Sequence, residues 1–481
     1  MSRKITNKNT KMNNNIFISI ASYRDTELIP TLVDMITRAK HPEHLSFSVC
    51  WQDDTDISMF TAAGFTLTET TQLDNAPVYR YCYQQSDIRI ISIHYLQSKG
   101  ACWARAMCEK LYQNEYYFLQ IDSHSRVIDS WDEMMKADLE NLMAHTPLAI
   151  ISTYPPAYLP SDDDESFRTS NIHDIKIHFT QFDQKKIPCQ VGRACKNEMM
   201  LPTPFWAAGY AFTLGRFVTD VGNDPDLFFH GEEIAMAVRA FTHGYNIFHP
   251  NNTLIWHCYQ RTNAPRIWSD HTQESVAQGK VKQAWWQYDA VSKQRVRKLL
   301  GIDLDSDIEL GRYGLGTART LRQYQYYSGL SFSDCKVHAE TINHESKYTY
   351  TTVVNDHQQW CEQLSEHHYK KVRVKRSEVI QPTQQNLFAI YDRINSQDNA
   401  ANNNLNTDAQ PEKISITVFD EKKRLLHKLS LNYQTLNQKF PEDDFAFEVY
   451  FQNKTNQSPT LLTLCPWYKE IGWGKTTELT W

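Results

Sequence analysis

From residue 16 to about 275, apolar runs of strand length alternate with amphipathic segments, and polar residues follow the runs. Residues 16–21 read as a strand and 26–39 as a helix with apolar positions at helical spacing. Residues 45–51 and 89–95 read as further strands, and 101–111 as the next helix. Residues 116–121 form a strand pattern ending at Asp122, Trp131–Met143 a helix and 148–153 a strand. Such alternation specifies an α/β domain with a mostly parallel central sheet. Ligands of open α/β sheets sit beyond the carboxyl ends of the strands, so the polar residues after each run are the first candidates for function.

Composition narrows the function classes. Apolar residues make up 41% of 481, enough for a sizeable core, and the net charge is −6. That balance argues against a nucleic-acid partner, which needs a basic footprint. No apolar run approaches the ~20 residues of a transmembrane helix. Residues 1–15 are Asn/Lys-rich and read as a disordered leader without the apolar centre of a signal peptide. The ten cysteines include no CxxC pair and read as reduced thiols. The expected location is the cytoplasm, with export by a route that leaves no N-terminal signal as the second choice.

Five clusters could carry chemistry. In QIDSHSR (120–126), Asp122 and His124 follow a strand and can face one ion if the chain turns there. The same residues also read as a turn in which Asp122 caps the next element. FFHGEE (228–233) opens a helix with Glu232 and Glu233, a pair that the helix dipole also favours in a merely solvated first turn. His257 in IWHCYQR (255–261) is either a third ligand or a hydrogen-bonded core imidazole. SKGACWARA (98–106) places Gly100 before a helix with Lys99 and Arg105 at hand for a phosphate, though without P-loop spacing. Ser22, Tyr23, Arg24 and Asp25 after the first strand could hold a base and ribose, or cap a helix; Asp53 in WQDD (51–54) repeats the theme.

Taken in order, IASYRD (20–25), WQDD, SKGACWARA, QIDSHSR, PFWAAGYAF (204–212), FFHGEE and IWHCYQR resemble the polypeptide α-N-acetylglucosaminyltransferases that modify hydroxyproline on a cytoplasmic ubiquitin-ligase subunit. The pattern is distantly similar to the polypeptide GalNAc-transferases, which also use a D-x-H motif. The resemblance covers roughly residues 16–270. It implies a GT-A fold and a retaining transfer that needs a UDP-sugar, here UDP-GlcNAc, and a divalent metal, Mn²⁺ or Mg²⁺. It further implies Asp122, His124 and His257 as metal ligands. Ser22, Tyr23, Arg24, Asp25 and Asp53 would contact the uridine, and Gly100 and Arg105 would lie under the donor. Trp206 and Gly209 would line the sugar pocket, with Glu232 and Glu233 facing donor sugar or acceptor hydroxyl. Lys99, Arg105 or Arg261 would share the charge of the leaving diphosphate.

The acceptor expected is a protein or glycan hydroxyl. A carbohydrate-binding or scaffold protein on a degenerate transferase fold, and a metal-dependent UDP-sugar hydrolase, are the competing readings. The expected organisation is a GT-A catalytic domain at 16–275, a helical extension at 276–340 and a small β-rich accessory domain at 341–481. Residues 160–165 read as an acidic loop, 185–200 as a long surface loop and 395–411 as a flexible one. Aromatic residues at 285, 286, 324, 326 and 327 would form an acceptor-side wall or simply pack helices onto the core.

Overall fold

The structure, a computed structural model, describes residues 14–160, 165–170, 174–196, 198–261, 264–343, 349–381, 410–440, 443–453, 457–469 and 472–481. The expected leader up to residue 13, most of the acidic loop and the 395–409 stretch lie outside the described residues. Two compact units form, one of residues 1–335 and 340–360, the other of 336–339 and 361–481. Among the described residues no helix is long and apolar enough to cross a membrane, and no disulfide forms.

The first unit holds strands β1 (Ile16–Tyr23), β2 (Leu45–Gln52), β3 (Thr66–Leu73), β4 (Ala76–Tyr83), β5 (Ser86–Ile93), β6 (Tyr117–Asp122) and β7 (Ser125–Val127). It continues with β8 (Ala149–Ser152), β9 (Asp174–Phe182), β10 (Pro188–Cys195), β11 (Leu201–Thr203), β12 (Tyr210–Leu214), β13 (Asn246–His249) and β14 (Ile255–His257). Ten of these make one sheet in the order β11-β13-β8-β12-β6-β1-β2-β5-β4-β3. The α/β class is as expected, but the sheet is mixed rather than mostly parallel. β6, β1, β2 and β5 run parallel at its centre. β12 runs antiparallel between β6 and β8, and the β3–β4 hairpin adds two antiparallel strands at one edge.

Alternate residues of the central strands are buried against different helices, which is why these runs are continuously apolar. Phe47, Val49 and Trp51 of β2 join the core formed with helices Leu28–Arg38 and Trp131–Met143. Cys50 points to the other face, into the cluster with Ala104, Met107 and Cys108 of helix Ala101–Glu109. Because the central strands are parallel, Tyr23, Gln52 and Asp122 end side by side, with Ala21 opposite Asp122 and Tyr23 opposite Gln52.

One segment differs from its sequence reading, and the structure decides between the two roles left open for the aromatic residues at 324, 326 and 327. The stretch read as a surface loop at 185–200 contains β10, which pairs with β9 through a bulge at Cys189/Gln190 that breaks its alternation. Tyr324, Tyr326 and Tyr327 of helix Leu321–Ser328 are buried; Tyr324 donates to the Pro204 carbonyl and Tyr327 stacks on Phe241, so they pack the core rather than wall an acceptor site. Helix Trp285–Leu299 leaves Trp286 49% exposed, while Trp285 stacks near Phe228.

The second unit faces two sheets across one core. Lys413–Asp420 pairs with Leu425–Asn432 and Pro459–Tyr468, and Leu364–Lys375 pairs with Asp444–Asn453. Ile414, Ile416, Leu462 and Leu464 from the first sheet meet Val372, Phe445 and Val449 from the second.

A buried ion pair links two strands of the ten-stranded sheet. Arg89 of β5 lies 2.6 Å from Glu115 just before β6, with side chains only 5% and 4% exposed. Deleting Glu115 leaves Arg89 buried with the more exposed Asp87, at 3.1 Å, as its remaining carboxylate. Glu115→Ala should therefore destabilise the unit by about 1–3 kcal/mol, the cost of a lost charge-assisted hydrogen bond, read as a lowered urea midpoint of its transition. An unchanged midpoint would show that the pair anchors nothing.

Candidate active site

Two short strands set the geometry. β7 leaves the sheet just after Asp122, and β14 pairs with it so that His257 stands opposite Ser125. That register puts the rings of His124 and His257 4.5 Å apart. The Cys258 amide donates to the His124 carbonyl and the His257 amide to the Pro156 carbonyl, which fixes both backbones. Asp122, His124 and His257 offer ligand atoms that all lie within 4.8 Å of one another.

The side chains around this trio orient it. Asp25 is buried and accepts from His124 Nδ1 at 2.7 Å and from Ser123 Oγ at 2.5 Å. A carboxylate on one ring nitrogen fixes the tautomer and leaves the other nitrogen, Nε2, as the lone-pair donor. His257 Nε2 lies 3.0 Å from Asp122 Oδ2, and its Nδ1 is buried without a hydrogen-bond partner. Burial outweighs the nearby carboxylate and holds the His257 imidazole below its ordinary value, which favours the neutral form that a metal ligand needs. Burial also acts to raise Asp122, but the His257 hydrogen bond and the Arg105 charge overcome it and keep the carboxyl far below the usual range. An oxygen and two imidazole nitrogens suit a borderline divalent ion. A Cβ on Gly209 would come within 3.1 Å of Asp122 Oδ2, so glycine keeps that oxygen accessible. The residues present fit a metal.

Arg105, on helix Ala101–Glu109, ties this trio to the next cluster. Its guanidinium reaches Glu232 at 2.7 Å and Asp122 at 2.9 Å, and all three lie at the wall of a cavity of about 500 Å³. Glu232 and Glu233 begin helix Glu232–Thr242, after Gly231 at φ 94°. Glu232 is consumed by Arg105. Glu233 is held by the Tyr154 hydroxyl at 2.5 Å, Gln190 Nε2 at 3.1 Å and the Ala208 amide at 3.0 Å. Burial raises the Glu233 carboxyl to about 7 against those donors. Gly100, at φ 115°, has a packing reason as well as a place in the cavity wall: a Cβ there would meet the Phe228 carbonyl oxygen at 2.6 Å.

Of the residues singled out from the sequence, Tyr23, Gly100, Arg105, Asp122, His124, Gly209, Glu232, Glu233, His257 and Arg261 line this cavity. The remaining six do not. Ser22 is fully buried in β1 behind the wall. Arg24 pairs with Asp270 and lies over the Tyr95 ring. Asp25 supports His124 and approaches Arg261 at 3.2 Å. Asp53 caps its own turn through Asp54 and Thr55. Lys99 sits near the Trp103 ring. Trp206 is buried and stacks on Phe217.

The sequence reading missed Gln52, Ser98, Tyr154, Gln190, Tyr259 and the 265–268 segment. Gln52 and Ser98 are bonded to each other at 2.6 Å behind the Tyr23 edge. Tyr154 follows the β8 strand, so the strand-end rule could have found it; Gln190 sat in the stretch read as loop. Pro265, Arg266, Ile267 and Trp268 close one side of the cavity, tied down by Asp270, which accepts from the Tyr23 hydroxyl at 2.8 Å.

A family model described as glycosyltransferase (GlcNAc) matches residues 15–334, well over half of the chain. The chain belongs to that glycosyltransferase family. Its α/β unit, with one ten-stranded mixed sheet, carries that glycosyltransferase domain. A glucose-1-phosphate adenylyltransferase of Halalkalibacterium halodurans is 27% identical over 92 residues, 19% of this chain and 24% of that protein. Among solved structures, the chain is similar to GalNAc-T7 with UDP, GalNAc and Mn²⁺ at 10% identity and TM-score 0.39, over 65% of this chain and 56% of that one. It is also similar to S. aureus TarS 1–349 at 9% identity and TM-score 0.31, over 62% and 76%. The chain thus spans about a quarter of the curated relative and little over half of GalNAc-T7. Likenesses of this size assign no substrate.

The raised carboxyl has a measurable consequence. The fold favours protonated Glu233, so its contribution to stability is complete below the unfolded value of 4.5 and is lost as pH rises through about 7. The metal-free thermal midpoint should fall across that window, and Glu233→Gln should remove this component of the slope. A Gln variant with the wild-type slope would contradict the assignment.

Proposed function

We propose that the protein is a metal-dependent, retaining glycosyltransferase that moves GlcNAc from UDP-GlcNAc to an acceptor hydroxyl. Family membership gives the glycosyltransferase; the observation that carries the rest is the convergence of Asp122, His124 and His257 with Arg105 and Arg261 on one cavity. The site lies where the parallel strands end, the position an α/β sheet offers a nucleotide. Asp122, His124 and His257 would hold a divalent ion, which when bound would supply positive charge against a leaving diphosphate.

The chain's own groups supply the rest. Arg261 lines the cavity and is positioned by Asp25, so its guanidinium can meet a phosphate oxygen while remaining fixed. Arg105 is occupied by Glu232 and Asp122, which suits it to hold Asp122 in place rather than to bind donor. Of the two glutamates, Glu233 is the one free to orient a hydroxyl, with Tyr154 and Gln190 fixing its carboxylate. Near neutral pH it can take either protonation state. Retention needs no strong base, since the departing phosphate oxygen leaves from the face that the acceptor hydroxyl approaches and can accept its proton. The acceptor we favour is a protein hydroxyl, hydroxyproline in particular, with a glycan hydroxyl as the other source of the same chemistry.

The test is a donor screen with Mn²⁺, reading UDP release from each common UDP-sugar with and without EDTA and with and without acceptor. EDTA-sensitive turnover of UDP-GlcNAc is expected. Free sugar released without acceptor at the rate of transfer would instead make the protein a hydrolase, and metal-dependent UDP binding without turnover would make it a binding protein. Asp122→Ala should lower turnover by more than either Glu232→Ala or Glu233→Ala, because leaving-group charge is the larger burden. A near-normal Asp122→Ala rate would refute the metal assignment.

Asp25 adds a separate expectation. Asp25→Asn should weaken the apparent affinity for Mn²⁺ by roughly 10–100-fold, the usual cost of losing a carboxylate behind a ligating histidine. If Asp25 instead contacts the uridine, the variant would raise the KM for UDP-GlcNAc and leave the Mn²⁺ requirement unchanged.

A further inference from the structure

A second group of ligating side chains sits in the turn between helix Leu28–Arg38 and β2, at the amino end of the sheet. The active site lies beyond the carboxyl ends, so the two groups are separate. The turn is the 3-10 segment Pro42–His44, with His41 as the residue before it. At three residues per turn, positions i and i+3 eclipse. His41 and His44 therefore lie on one side, with ring centroids 5.3 Å apart. Glu43 reaches the same place, its Oε1 3.3 Å from His41 Nδ1. Ligand atoms of His41, Glu43 and His44 all lie within 4.8 Å of one another.

Two further observations are compatible with a ligand at this turn. His44 Nδ1 is buried and has no hydrogen-bond partner. The turn is also built on a rigid base. Asp132, fully buried, accepts from the Lys40 amide at 2.7 Å and the His41 amide at 3.0 Å. Ser86 Oγ donates to the Pro42 carbonyl at 2.7 Å, and the His44 amide closes the turn on the His41 carbonyl at 3.0 Å. A tethered backbone holds ligands near a productive geometry before any ion arrives.

We propose that His41, Glu43 and His44 form a second divalent metal site whose role is structural. Two ligands about 2.0–2.1 Å from a tetrahedral ion are separated by roughly 3.3 Å, and His41 and Glu43 already stand at that spacing. A His44 ring nitrogen within 4.8 Å of both would supply the third position. Two imidazoles and one carboxylate select Zn²⁺ or a neighbouring late transition ion over Mg²⁺ or Ca²⁺. The charges bearing on His44 include Glu43 and Asp132 as well as Lys136, so an incoming cation meets no wholly positive pocket. His41 and Glu43 side chains are 40% and 45% exposed, which leaves room for water as the fourth ligand. A bound ion would tie the end of the first helix to the start of β2 and, through Asp132, to helix Trp131–Met143.

The test uses the full chain and Zn²⁺ alone. Bound zinc after equilibrium dialysis is compared among wild type, the double variant His41→Ala with His44→Ala, and Asp122→Asn. The double variant should bind one equivalent fewer than wild type, and Asp122→Asn should retain that equivalent. Zinc should raise the thermal midpoint of wild type and Asp122→Asn more than that of the double variant. Equal midpoints of wild type and double variant in EDTA would show that the substitutions leave the fold intact; if the double variant unfolds, His41→Gln singly replaces it. Equal zinc content and equal zinc-induced shifts in wild type and double variant would overturn the proposal. The Asp122→Asn result reports on the active site independently, so either assignment can fail without the other.

Discussion

The arrangement of the active site depends on one buried guanidinium. Arg105 stands between Asp122 and Glu232, carboxylates from a strand end and a helix start that are far apart in sequence. Two carboxylates facing one cavity would repel and drive one of them to protonate. With Arg105 between them, Asp122 stays ionised at the strand end, where its other oxygen faces His257. The same contact locks helix Ala101–Glu109 against the loop before helix Glu232–Thr242, where the Ala101 amide also donates to the Phe228 carbonyl. Gly100 is required at that junction because any side chain would strike Phe228. A buried ion pair of this kind contributes little net stability, since desolvation offsets attraction. Its value lies in fixing which groups meet.

Much of this was legible in the chain. Continuous apolar runs marked β1, β2, β5 and β6, because strands covered by helices on both faces bury every residue. The polar residue closing each run then pointed to the cavity edge, as Tyr23 and Asp122 show. What could not be read was set by tertiary contacts. Asp74-Asn75 and Gln84-Gln85 both adopt positive φ, turning β3 into β4 and β4 into β5 as two-residue hairpins. Neither contains the glycine that usually announces such a turn, so those hairpins left little local trace. β10 lost its alternation at a bulge, and with it the signal for Gln190.

The roles of individual residues were harder to read than their presence. Asp25 carries no sign in the sequence of whether it meets a nucleotide or a histidine. Only the fold brings it beside His124, because β1 and β6 are parallel neighbours and the loops after them converge. The same holds for Trp206 and Asp53: an aromatic and an acid in plausible motifs, one of which stacks inside the core and the other of which closes its own turn. Residue type at a strand end restricts the possible chemistry; neighbours from other segments decide which possibility is realised.

Asp25 also connects the two halves of the cavity. One of its oxygens, Oδ2, accepts from His124 and Ser123 and lies 3.2 Å from Arg261. The imidazole of His124 and the guanidinium of Arg261 thus share one counter-charge. Asp25 is nearly fully buried, and the three donors around it hold its carboxyl below the ordinary value despite that burial. A buried carboxylate that is fully satisfied is rigid, since any movement leaves a donor or the charge unpaired. Both the imidazole and the guanidinium inherit that rigidity. In the reading proposed above, an imidazole and an arginine fixed to one point are what a metal-diphosphate pair would require: charge arranged in advance, with little reorganisation left to the moment of reaction.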